Sequence, residues 1–277
     1  MSSSSSDYSL LLWSLSGLVY WLGAHVTLGA LREARRDVGL RANLFLLLTA
    51  GLAVGSAVCA GIVLSLTSTT MGFAVGFKTL AAVGLIAGAW AAGLLAAAWL
   101  SLKPGWVSAI GGAVLIGAMT TGVQLGWVLA AGFRPGFALR PDAIGSALAI
   151  TIVGSLIALR LAFTEAALFS RTRQRWRLVA SGLLAAAFFG SQELVEASAR
   201  LASQVGSVFQ SQLPAPVLSL VFGVVVPLLL IVAALDLGSG RRRRRDDAAS
   251  SLQYPPGSST SHSGGRRRRR RHRIRSL

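Results

Sequence analysis

Two glutamates, Glu193 and Glu196, stand three residues apart in GSQELVEAS (190–198). That spacing puts both side chains on one face of a helix. The stretch closes a long apolar run, so the pair is suited to reversible protonation or to holding a cation. Burial disfavours the charged form of a carboxyl, and carboxyls inside a membrane are functional candidates by default. Glu196 and Arg200 are i,i+4 with the acid first, the favourable order for a helical ion pair, and Lys78 is a second candidate partner. Glu193 sits beside Gln192 with no basic residue near it in sequence. One expectation is that it faces the interior of a helix bundle and relays a proton or binds a cationic ligand. The other is that its helix ends early and leaves it in water. Met119 and Cys59 add a thioether and a thiol, soft donors of the kind that suit Cu(I). Met119, Cys59 and Glu193 are therefore the candidate metal ligands. His25, the one histidine outside the C-terminal region, reads as hydrogen-bonded structure.

Such groups need a scaffold, and the composition points to lipid. The chain has 277 residues, 53% hydrophobic and only 13% charged, against about 25% charged in soluble domains. Of 27 Lys and Arg, 13 follow residue 238, so the net charge of +17 describes a tail and not a nucleic-acid-binding core. Seven apolar segments have spanning length: about 10–31, 43–66, 74–100, 106–130, 143–166, 177–199 and 215–237. The links between segments 1 and 2, 3 and 4, and 5 and 6 carry Arg32, Arg35, Arg36 and Arg41, then Lys103, then Arg171, Arg173, Arg175 and Arg177. Basic loops stay cytoplasmic, which predicts an all-α, polytopic seven-helix bundle with its N-terminus outside and its C-terminus inside. Residues 1–9 hold no basic residue, so the first apolar run is expected to be retained as a spanning helix. One cysteine permits no intrachain disulfide. Trp13, Trp99, Trp106, Trp127 and Trp176 fall near segment ends, as interface anchors do. Gly51/Gly55, Gly72/Gly76, Gly84/Gly88 and Gly122/Gly126 are small-xxx-small pairs expected to pack the bundle internally.

Residues 238–277 are expected to form a disordered cytoplasmic tail. Arg241, Arg242, Arg243, Arg244 and Arg245, with Arg266, Arg267, Arg268, Arg269, Arg270 and Arg271, are expected to bind anionic lipid head groups. Each basic residue near the surface contributes about 1 kcal/mol.

Segments 1–2, 3–4 and 5–6 read as three copies of one helix pair. The second helices align as GLAVGSAVCAG (51–61), GAVLIGAMTTG (112–122) and AAFFGSQELVE (186–196). Counting 1.5 Å per residue from the basic end puts Cys59 and Glu193 about 24 Å up and Met119 about 20 Å up, in one layer. Three helix pairs and a seventh helix, over roughly residues 8–237, resemble the MHYT family of integral membrane sensor domains. That family carries a Met-His-Tyr-Thr-Gly-Met type motif in the second helix of each pair. The resemblance implies a sensor of a gas or redox signal, with copper as the metal. The matching frames are 57–62, 118–123 and 192–197. Gly61, Thr121 and Gly122 match, while Val58, Met119 and Glu193 stand at the histidine places. The family's metal chemistry is therefore not carried over to this chain.

No nucleotide-binding, zinc-protease, dithiol or hydrolase motif is present, and the tail is too short and basic for a cyclase or kinase output domain. The expectation is a non-enzymatic sensor or signalling module, multi-pass in the plasma (cytoplasmic) membrane, acting through a separate signalling partner. A small-molecule or ion transporter is the second reading, and a structural membrane subunit tethered by its basic tail is the third. Arg160 and Glu165 read as structural.

Overall fold

The computed structural model describes residues 3–35, 40–68, 75–102, 105–134, 138–163, 170–200, 206–207, 209 and 212–253. Its helices are α1 (Ser3–Ala34), α2 (Leu40–Ser68), α3 (Thr79–Leu102), α4 (Trp106–Ala130), α5 (Pro141–Phe163), α6 (Ser170–Ser198), α7 (Ala215–Leu220) and α8 (Val226–Gln253). A π-helical turn, Val221–Val225, joins α7 to α8. Seven stretches are long and apolar enough to span a membrane, the seventh running from α7 into α8. The chain is thus an all-α, seven-helix membrane bundle. α8 stays helical to Gln253, beyond the expected start of the tail at 238, so 241–245 lie on helical backbone. The second arginine run, 266–271, lies outside the described residues.

Each helix from α1 to α6 packs on the next, and α6 returns to α1, closing a ring. The even helices α2, α4 and α6 also touch one another and are the three most buried spans. In each consecutive pair the second, small-residue helix is thus the more buried and the first the more exposed. Glycine sets the closest approaches. A Cβ on Gly93 would come within 2.4 Å of the Gly51 carbonyl oxygen, and one on Gly51 within 2.6 Å of the Leu94 nitrogen, so α2 and α3 meet backbone to backbone. Gly154 similarly admits Ala187 between α5 and α6. The pair Gly84/Gly88 departs from the expectation. Both face open space on the exposed side of α3, as does Gly122 on α4. A small-xxx-small spacing fixes that two residues share a face, not which face is turned inward.

At one end of the bundle, arginines meet carbonyls and rings. Arg35 donates from Nε and Nη2 to the Leu100 carbonyl at 3.1 and 2.7 Å, and lies 3.7 Å from the Phe163 ring centroid. It thereby joins the end of α1 to the last turns of α3 and α5, where helix carbonyls favour a cation. Half-burial lowers the proton affinity of this guanidinium from its ordinary value without removing its charge. Arg160 covers the Trp106 ring at 3.6 Å, a structural contact as expected.

At the other end, three two-residue antiparallel ladders knit the loops that follow the even helices. β1 (Gly76–Phe77) pairs with β6 (Leu213–Pro214), β2 (Phe133–Arg134) with β5 (Gly206–Ser207), and β3 (Ala138–Leu139) with β4 (Ala199–Arg200). Gly132, at φ 59°, takes the left-handed conformation that ends α4. Pro227 explains the π turn: it cannot donate to a carbonyl one turn back, and the wider turn absorbs the break. Trp13, Trp99, Trp106 and Trp176 are exposed as anchors, but Trp127 is fully buried between Phe77 and Phe222. Its position near a helix end suggested an interface, yet the ladder-end loops cover it.

Candidate functional site

Near the ladder end, α1, α4 and α6 bury a chain of polar side chains. Its polarity follows from one backbone group. The Phe188 carbonyl can only accept, so Gln124 must present Nε2 to it, at 3.0 Å. That turns Gln124 Oε1 to the Ser191 hydroxyl, which donates to it at 2.8 Å. Gln124 Nε2 also reaches Tyr20 Oη at 3.4 Å. The Tyr20 hydroxyl then donates onward to Gln192 Oε1 at 2.5 Å. Tyr20, Gln124, Ser191 and Gln192 are all fully buried. The chain ends with Gln192 Nε2 buried and without a hydrogen-bond partner.

One turn further along α6, Glu196 Oε1 is also buried and without a partner, and the carboxyl lies beside Ser65 of α2 and Gln192. α6 therefore divides its two glutamates. Glu196 turns into the polar layer. Glu193 is exposed, accepts the Trp13 indole N–H at 3.0 Å, and shares that outer surface with the edge-on pair Trp13 and Phe189. The interior carboxyl expected at Glu193 is thus Glu196, one position after Val195 re-enters the core. Three residues turn a helix by only 300°, so the two carboxyls lie at opposite edges of one broad face. Among the described residues no ion pair joins Glu196 to Lys78, which is exposed. α6 stops at Ser198, so Arg200 stands in β4 instead of extending the helical pair, and its side chain lies outside the described residues.

Cys59 and Met119 are buried on α2 and α4. The Cys59 thiol lies beside the Trp127 indole. With Glu193 on the exterior and Cys59 and Met119 buried, the three candidate ligands do not face one site. Among the described residues no three His, Cys, Asp or Glu side chains gather into a metal-binding group. The donor set does not fit copper.

His25 belongs to the arginine end. Its Nε2 meets Arg177 Nη2, which can only donate, so Nε2 is an acceptor and the ring proton sits on Nδ1. Nδ1 then reaches Ser181 Oγ at 3.3 Å, while that hydroxyl donates to the Arg177 carbonyl at 2.7 Å.

Sequence reasoning passed over Tyr20, Gln124 and Ser191. Gln124 is the one amide in an otherwise apolar α4, and such a side chain must find a partner in lipid. That signal was available. Tyr20 gave none, since a tyrosine in an apolar helix reads as packing. Its seat is Gly61, where a Cβ would come within 2.2 Å of the ring. The glycine matched in the first frame thus makes room for a phenol.

Fold and site together define a seven-helix integral membrane protein with a polar layer between its inner helices. No family model, curated protein or solved structure matches the chain.

Proposed function

We propose that this chain is a non-enzymatic, MHYT-like sensor or signalling module of the plasma (cytoplasmic) membrane, with the polar layer as its responsive element. One observation carries the reading: α1, α4 and α6, distant in sequence, are joined by a one-directional hydrogen-bond chain, with Gly61 of the first frame seating Tyr20 and Gln192 of the third frame near its end, that closes on two unpaired buried atoms. α6 is the natural conductor. It is fastened to α1 at both levels, by Tyr20–Gln192 near the ladders and by His25–Ser181 near the arginines. A shift at Glu196 would pass along α6 toward the arginine end, the side proposed to face the cytoplasm and a separate signalling partner. Anionic head groups are the proposed contact of the arginine runs. Copper has no part in this version.

The transporter reading draws its support from the π turn before Pro227, since interrupted helices are common at transport sites. The structural-subunit reading draws on the open Gly84/Gly88 side of α3.

The test uses the full chain in anionic and in neutral liposomes. Hydrogen exchange of the arginine-end loops is followed on changing pH and on adding Cu(I), beside solute flux. The expected result is altered exchange on a pH change without flux, blunted in Tyr20→Phe and Gln124→Leu. Steady flux above empty liposomes would replace the sensor with a transporter. Unchanged exchange in both lipids would leave the structural subunit.

A further inference from the structure

We propose that Glu196 is a proton-binding site at the end of the buried hydrogen-bond chain. This rests on reading the polar layer as the responsive element. Every step from Gln124 through Tyr20 to Gln192 passes a donor toward Glu196, and the last donor, Gln192 Nε2, has nothing to meet. Either form of the carboxyl can accept from Gln192 Nε2, and the neutral form alone can also donate its proton to Ser65. An ionised carboxyl meets opposition from several sides. Glu196 lies in the last turn of α6, and Ser65 in the last turn of α2. Both helices turn the negative ends of their dipoles there. Glu193 adds a like charge from the same helix.

Among the described residues, the other elements packed around it place no cation beside it: α5 carries Asp142, paired with Arg140, and Arg160 toward the arginine end, while the side chains of Arg134 and Arg200 lie outside the described residues. α4, α7 and the π turn contain no titratable residue. α2 contributes Cys59 nearby and Arg41 at its far end. α1 contributes Tyr20, with Asp7 and Tyr8 near its start and His25, Arg32 and Glu33 toward the arginine end. Lys78, opening the ladder-end side of α3, is exposed and makes no ion pair with Glu196. The ligand class that fits is therefore a proton, taken from and returned to water at the ladder end, with no redox change. Loss of the proton sets Glu196 against Glu193 and two helix ends, and the relief available is movement of the α6 terminus away from α2.

Infrared difference spectra of the full chain in nanodiscs, between acid and alkaline buffer, read the protonated carboxyl directly. The expected band is lost in Glu196→Gln and kept in Glu193→Gln. Glu196→Gln, which mimics the neutral form, should also unfold no more readily than the parent, so the lost band cannot come from misfolding. Persistence of the band in Glu196→Gln, or its loss in Glu193→Gln instead, would overturn the assignment. A Glu196 band without any pH-dependent exchange at the arginine end would keep the proton site and remove the sensor. A pH-dependent exchange indifferent to Glu196→Gln would keep the sensor and remove this site.

Discussion

Two carboxyls in one short stretch do different work because of about 60° of helix rotation. Glu193 is held from outside by one indole, and Glu196 is enclosed by polar neighbours with no cation beside it. Hydrogen bonds between spanning helices average about 0.6 kcal/mol and reach about 1.7. Tyr20 serves two amides at once, so Tyr20→Phe should cost about 1–2 kcal/mol in a denaturant titration of the detergent-solubilised chain. Trp13→Phe loses one exposed contact and should shift the same titration by no more than about 0.5 kcal/mol. Cys59, with no exposed surface, should resist maleimide until the bundle is unfolded. Labelling of the native protein at the rate of a free thiol would contradict its packing against Trp127.

At the level of elements, the same residue type has opposite consequences on the two sides of α3. Gly93 meets the α2 backbone, whereas Gly84 meets nothing. Gly93→Leu should therefore destabilise by about 1–3 kcal/mol or more, as overpacking does. Gly84→Leu should leave unfolding within about 0.5 kcal/mol of the parent. Equal effects would mean that α3 is rotated from the orientation described. The π turn is an element-scale feature with a single-residue cause. Pro227→Ala restores the missing donor, so the turn should tighten and draw Phe222 off Trp127, read as a change in tryptophan emission.

Across the whole molecule, Arg35 ties three helices of the ring together at one end. Arg35→Ala removes two charge-assisted hydrogen bonds to the Leu100 carbonyl and the contact with Phe163. The expected loss is about 1.5–3 kcal/mol, with faster amide exchange in the last turns of α3 and α5. Arg35→Lys should recover little, because a point charge cannot offer the same fork while lying over the ring. Full recovery by lysine would reduce the contact to charge alone. The opposite end is held differently, by short ladders between loops.

Some of this was fixed by the sequence unaided. Spanning length and apolarity do not depend on neighbours, so the seven helices could be read, with 106–130 matching α4 at both ends. Three helix pairs could also be read, but the inward turn of the even helices could not. Rotation about each helix axis could not. It decides whether Glu193 or Glu196 faces inward, whether Gly84 packs, and whether Trp127 anchors or is buried. In an apolar helix every face is hydrophobic, so the sequence contains no moment from which to read rotation. Only the packing of neighbouring backbones at Gly51, Gly93 and Gly154, and the need of Gln124 for a partner, settles it.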